Sequence, residues 1–280
     1  MPPPPKRNST DDDEHILSGS AREKSDHFPQ KSRPNAFTEL MSRPPKKLKL
    51  PPNMTDPQTS RTLYSGRDGL VAYTRDPESF PSNRVVYFND KFVVINDLFP
   101  KSSVHLLILP RNTEKNILKP QDAFDDPTFL AECREEEKNV RALVASELRR
   151  KYGKFSAAEK LRTAAMESDD PPSELPLGRD WNKEVISGIH ANPSMNHLHI
   201  HVMSRDMMSE CLKKTSHYLS FTTDFFVGLD QFPLAKNDYK RHYRHFPEDM
   251  ICWRCGKNFK RKMASLKEHL ETEYVEWKKE

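Results

Sequence analysis

His197-Leu198-His199-Ile200-His201-Val202-Met203 sets three imidazoles at a spacing of two. Side chains alternate between the two faces of an extended strand. The spacing therefore predicts His197, His199 and His201 on one face, with Leu198, Ile200 and Val202 turned into a core. Three rings that titrate near pH 6.5 are costly to gather on one face without a use for them. Two chemistries would use them, a metal site or a nucleophilic histidine. Zinc accepts three His, but positions i, i+2 and i+4 of a flat strand span about 13 Å. Two neighbouring rings could share an ion, whereas three would need a strong bend. A nucleophile needs no bend. The central His199 would attack an electrophile while its neighbours orient it or hold oxyanions. An imidazole nitrogen is a competent phosphorus nucleophile once its other nitrogen is hydrogen-bonded.

Working outward, Arg84-Val85-Val86-Tyr87-Phe88 and Phe92-Val93-Val94-Ile95 are β-rich runs parted by Asn89-Asp90-Lys91, a hairpin signal. A third run covers residues 104–109 and stops at Pro110. Residues 128–165 read as helix, with Phe129, Cys133, Val140, Leu143, Val144 and Leu148 at helical intervals. Ser168-Asp169-Asp170-Pro171-Pro172 opens a loop to about residue 180. Strands return at 184–190 and 197–203, joined by residues 191–196, which contain Pro193 and Ser194 and can curl around an anion. Tyr218-Leu219-Ser220-Phe221 and Phe225-Phe226-Val227 read as further strand or edge segments. Together these predict an α+β domain over residues 63–233, an antiparallel sheet with packed helices.

Of 280 residues, 35% are hydrophobic and 31% charged, with 23 Pro against 8 Gly. Eleven of those prolines fall in residues 1–60, which show almost no apolar periodicity and read as a disordered arm. Order is expected from about Leu63. Within the arm, Pro44-Pro45-Lys46-Lys47-Leu48-Lys49-Leu50 resembles a nuclear-import signal, and Ser9-Thr10-Asp11-Asp12-Asp13-Glu14 a kinase site. Four cysteines do not make a secreted disulfide framework, and no apolar run suits a signal peptide or a membrane span. A soluble protein of a reducing compartment, the nucleus, is expected.

Residues 234–280 hold 12 Lys/Arg against 8 Asp/Glu, with Arg254, Lys257 and Lys260 among a concentration of basic residues suited to phosphates. A merely solvated basic surface would have the same composition. Cys252-x-x-Cys255 offers two thiolates on a knuckle, Phe259 and Leu266 stand where a ββα finger keeps its small core, and His269 follows. No His or Cys comes after His269. On a helix Glu273 lies at i+4 from it and on the same face, whereas Glu271 points away and Glu276 is about two turns on. The expected set is structural zinc on Cys252, Cys255, His269 and Glu273.

The His-x-His-x-His run followed by two apolar residues resembles the signature of the histidine-triad (HIT) superfamily of nucleotidyl hydrolases and transferases. The longer stretch from Gly188 through Pro193-Ser194-Met195 to Ser204 is similar to its aprataxin branch. So are Ile95-Asn96-Asp97-Leu98-Phe99-Pro100-Lys101-Ser102, His105-Leu106-Leu107-Ile108-Leu109-Pro110, and Leu212-Lys213 through His217-Tyr218-Leu219-Ser220-Phe221. The finger from Cys252 to Glu273, in its Cys-Cys-His-Glu version, is similar to that of fungal members.

The resemblance covers about residues 65–280 and implies a HIT-type fold with a small C-terminal ββα-like zinc finger. It implies a DNA-repair hydrolase that removes AMP from 5′-adenylated DNA ends left by abortive ligation. His199 would attack the AMP phosphorus and form a transient His–AMP, with AMP as product. His190 would assist the leaving phosphate, and His201 and His197 would orient the nucleophile and contact phosphate oxygens. Asp97 would bind the ribose; Ser194, Met195, Lys101 and His105 would line or support the AMP site. Lys213, Lys214 and His217 would contact DNA beside the finger's basic residues. A monomer acting away from membranes is implied. The resemblance departs at Leu63-Tyr64-Ser65-Gly66-Arg67-Asp68, where Gly66 stands at the position of an aromatic wedge. Two other readings stay open: a hydrolase of free nucleotides such as adenosine phosphoramidates or dinucleoside polyphosphates, and a non-catalytic zinc-finger protein that binds DNA.

Overall fold

The computed structural model describes residues 66–243 and 245–280. The arm at 1–60, its import-like cluster and kinase-like run, the onset of order near Leu63, Tyr64 and Arg244 lie outside the described residues.

Six strands, β1 (Val85–Phe88), β2 (Phe92–Asn96), β3 (His105–Pro110), β4 (Val185–His190), β5 (Ile200–Ser204) and β6 (Phe226–Val227), form one sheet in the order β1-β2-β3-β5-β4-β6. Every pairing is antiparallel. The helices are α1 (Val71–Arg75), α2 (Pro120–Ala123), α3 (Pro127–Tyr152), α4 (Ala157–Met166), α5 (Thr215–Thr222) and α6 (Met263–Lys279). None of them is long and apolar enough to cross a membrane. The first hairpin closes because the Asn89 carboxamide oxygen accepts from the Lys91 and Phe92 amides at 2.9 and 2.8 Å, a side-chain turn that Asn makes readily.

Val94, Leu106, Ile108, Ile200 and Val202 share one sheet face and pack against Phe129, Cys133, Val140, Val144 and Leu148 of α3. Each fully buried aliphatic contributes about 1.5–3 kcal/mol. A one-residue slip of β3 would turn Leu106 and Ile108 away from α3, so this packing helps to set the register. Leu143, expected in the apolar stripe of α3, is 37% exposed. α3 starts where Pro127 needs no donor and the Asp126 carboxylate accepts from the Thr128 and Phe129 amides. On the other sheet face Val93, Ile95, Leu107 and Leu109 pack with Leu70, Tyr73 and Phe80, leaving the neighbouring end of β5 open.

Three expectations are corrected. Residues 128–165 are two helices, not one. The Ser156 hydroxyl accepts from the Glu159 amide and restarts the chain as α4, an N-cap that the apolar periodicity concealed. Residues 218–221 are helical in α5, not extended. Tyr218, Leu219 and Phe221 gave the segment a strand-like composition. The threonine hydroxyls that follow it instead bond back along a helix, Thr222 to the Tyr218 carbonyl at 2.9 Å and Thr223 to that of Leu219 at 2.7 Å. Third, β5 begins at Ile200, so His197 and His199 precede the strand. Ile108 pairs with Ile200, which puts Pro110, with no N–H, where the ladder would continue. The Leu198 amide bonds the Asn116 carbonyl instead, at 2.7 Å.

The finger's strands reduce to a single bridge between Ile251 and Asn258, followed by α6. Its core is continuous with the domain, since Met250, Cys252, Phe259, Leu266 and Leu270 pack with Met203, Met207, Leu212, Tyr218 and Leu219. At the far end of α6, Trp277 enters the main core, its ring 5.5 Å from Tyr152 and 6.4 Å from Trp181. The Arg179 guanidinium lies between Trp181 and Trp277, 4.5 and 4.9 Å from their ring centroids.

Candidate active site and metal cluster

A cleft of about 640 Å³ opens on the β5 end of the sheet. The loop after β2 brings Asp97 and Lys101 to it, β4 brings His190, the loop after β4 brings Ser194 and Met195, β5 and the residues before it bring His199 and His201, and α5 brings His217. Two predicted residues are displaced from it. His197 is 2% exposed and turns behind the wall, with Nε2 3.4 Å from the Thr74 hydroxyl. His105 is buried beneath His201.

The hydrogen bonds assign the tautomers. The Lys101 amide donates to His105 Nδ1 at 3.1 Å, so the His105 proton sits on Nε2. That Nε2–H faces His201 Nδ1 at 2.9 Å and the Asp97 carboxylate at 3.5 Å. His201 therefore carries its proton on Nε2, which has no partner in the protein and is left for a substrate. His199 Nδ1–H donates to the His197 carbonyl at 2.7 Å, which frees the Nε2 lone pair. His197 thus orients His199 through its backbone and not through its ring. The Ser220 backbone faces His190 and slightly favours its charged form, and His190 Nε2 is likewise unpartnered.

Burial keeps this cluster neutral. Desolvation pushes His105 down to about 4, with Asp97 opposing and Lys101 adding to the shift. It pushes His190 to about 3, helped by His199 and His105. His199 is lowered by burial against the pull of the His197 carbonyl and Asp97. His201 is lowered well below 6.5 by burial and the rings around it. Burial also lowers Lys101, opposed by Asp97. The centroids of His199 and His190 lie 4.9 and 4.6 Å from that of His201. Asp97, His105 and His201 could by spacing hold a metal. The bond between His105 Nε2 and His201 Nδ1 already uses both nitrogens an ion would need.

Sequence reading missed several supports because they come from distant segments. Phe221 packs on His190, His201 and His105 at 4.7, 5.0 and 5.5 Å. Arg84 donates to the Tyr73 hydroxyl at 2.7 Å, and both line the cleft. Buried Asp206 accepts from the Ser103 amide at 3.0 Å, the Ser103 hydroxyl at 2.5 Å and the Met208 amide at 2.8 Å. It thereby anchors the loop that carries Lys101 to the end of β5. An acidic residue just past a strand of apolar and His residues was the available signal.

In the finger, Cys252, Cys255, His269 and Glu273 bring their ligand atoms within 4.8 Å of one another. Cys255 Sγ lies 3.1 Å from His269 Nε2, which lies 3.2 Å from Glu273 Oε1. Two sulfurs, one nitrogen and one oxygen at such separations suit a tetrahedral ion with bonds of about 2.0–2.3 Å. The other Glu273 oxygen accepts from Arg254 at 2.5 Å, and Arg254 also pairs with Glu280. Arg254, expected to face DNA, is thus engaged with a ligand carboxylate. Lys213, Lys214, Lys257 and Lys260 are exposed.

Residues 80–208 match the HIT domain model, and residues 222–276 match a C2HE / C2H2 / C2HC zinc-binding finger. The chain is 37% identical to an aprataxin-like protein of Saccharomyces cerevisiae, over 75% of this chain and 96% of the relative. It is 33% identical to an aprataxin-like protein of Schizosaccharomyces pombe, over 76% and 83%. The crystal structure of an aprataxin ortholog from Schizosaccharomyces pombe superposes with a TM-score of 0.60 at 31% identity, covering 76% of this chain and 95% of that one. A structure of the ortholog in complex with DNA gives 0.58 at 31% identity, over 75% and 96%.

Proposed function

This chain belongs to the aprataxin family of HIT-domain proteins, and on that premise we propose that it removes AMP from 5′-adenylated DNA ends. The observation that carries the reading is the setting of His199. Its Nδ1–H is held by the His197 carbonyl and its Nε2 opens to a cleft shared with Asp97, Lys101 and the free His201 Nε2–H. His199 Nε2 attacks the AMP phosphorus, and the P–O bond to the DNA 5′-phosphate breaks with its electron pair leaving on that phosphate. Water then attacks the phosphorus of His199–AMP and the P–N pair returns to Nε2. The His197 carbonyl stabilises the positive charge that the ring gains in the first step. His201 donates to a non-bridging oxygen. His190, near 3 in the free cleft, is a poor acid until bound phosphates raise its value; it then protonates the leaving phosphate, and once neutral takes the proton of the attacking water.

The choice of DNA over a free nucleotide is supported by the DNA complex of the ortholog and by the exposed lysines beside the finger. Zinc on Cys252, Cys255, His269 and Glu273 would supply folding energy and no chemistry. The import-like cluster at 44–50 supports a nuclear site of action.

The test is AMP release from 5′-adenylated nicked DNA. His199→Ala must abolish turnover, and activity retained in that variant would sink the assignment of the nucleophile. A higher kcat/KM on AMP-lysine than on adenylated DNA would favour the free-nucleotide reading.

A further inference from the structure

The Tyr218 hydroxyl joins the cleft helix to the metal knuckle. Tyr218 on α5 is 0% exposed; its hydroxyl donates to the Ile251 carbonyl at 2.8 Å and accepts from the Trp253 amide at 3.0 Å. Those two backbone groups flank Cys252, the first ligand of the cluster. The Trp253 ring is clamped from the other side by Arg205, 4.9 Å from its centroid. Leu219 and Phe221 of α5 share one apolar core with Cys252, Phe259 and Leu266.

The same helix builds the cleft wall. Phe221 packs on the rings of His190 and His201 at 4.7 and 5.0 Å, and the backbone of Ser220 faces His190. Neighbouring residues of one short helix therefore bond the knuckle and pack on the catalytic rings. A hydroxyl needed only to close the knuckle would not have to come from the helix that seats His190.

We propose that Tyr218 is a positioning residue for the deadenylation proposed above, tying the metal knuckle to α5 so that Ser220 and Phe221 stay seated against His190 and His201. The knuckle then braces the catalytic rings even for a substrate that never reaches the finger. Removing the hydroxyl leaves a backbone donor and acceptor without partners beside Cys252. The knuckle and α5 part to hydrate them, and the seat of His190 moves.

The experiment compares the full-length wild type and Tyr218→Phe, which keeps the buried ring, on 5′-adenylated nicked DNA and on AMP-lysine. With active sites counted by trapped His199–AMP, kcat is expected to fall about tenfold on both substrates while KM stays within about twofold. The imidazole resonance of His190, set by the aromatic rings around it, should shift, a signature that a smaller folded fraction would not produce. Stripping zinc from the wild type should shift the same resonance. Wild-type kcat on AMP-lysine or an unmoved His190 resonance in Tyr218→Phe would overturn the proposal, as would an unmoved resonance on zinc removal. A wild type that releases no AMP from either substrate would sink the deadenylation reading instead, and the His190 resonance would still decide whether Tyr218 positions the cleft.

Discussion

His105 never reaches the cleft, yet the proton on His201 depends on it. Replacing it by Phe fills its space and removes the Nε2–H that fixes His201, so kcat should fall about 10–100-fold with little change in KM; steady-state kinetics on adenylated DNA checks this. The buried rings also make stability depend on pH. Their folded values lie below 6.5, so as pH falls the unfolded chain takes up protons first. Stability that is present above about pH 6.5 is lost as pH falls toward about 4 for His105 and about 3 for His190. The shift at His105 alone corresponds to about 3 kcal/mol. Melting temperature should be clearly lower at pH 5 than at pH 7, and His105→Phe should narrow the gap; an unchanged gap would contradict this role. His199 was legible in the sequence because three His alternating with aliphatics single out the segment, although only His201 of the three lies within β5. The relay through His105 was not, because it rests on the Leu107–His201 pairing, a long-range register that neither segment displays alone.

At the scale of elements, long periodic α3 and the first hairpin were readable, and short α5 was not. A helix of two turns with four buried residues in a row offers no polar face to set a period. The close approach of β4 to β6 was equally hidden. A Cβ on Gly188 would stand 2.6 Å from the Val227 carbonyl oxygen, so only glycine lets β6 pair with Ile189 and His190. Gly188→Ala should cost about 1–3 kcal/mol, read from urea unfolding, and should slow turnover by shifting His190. Wild-type stability in that variant would mean that β6 yields freely.

At the scale of the whole molecule, finger and sheet domain share their apolar cores through Trp277 and through the packing around Tyr218 and Leu266. A chelator should therefore lower the melting temperature of a single transition covering both parts; two separate transitions would refute this. The exposed lysines and Arg254 should also behave differently. Lys257→Ala and Lys260→Ala should each reduce the slope of log affinity for DNA against log salt by about 1. Arg254→Gln should instead weaken zinc retention about tenfold by freeing Glu273, with the salt slope unchanged; a reduced slope would return Arg254 to the DNA surface. The finger's ligands were legible from spacing, but its attachment was not, since nothing in Cys252-x-x-Cys255 announces a shared core. That attachment also limits exchange between proteins. A finger grafted from elsewhere would have to arrive with matching changes at Met203, Met207, Leu212, Tyr218 and Leu219, so these positions should vary together with the finger across lineages and resist its loss as a free cassette.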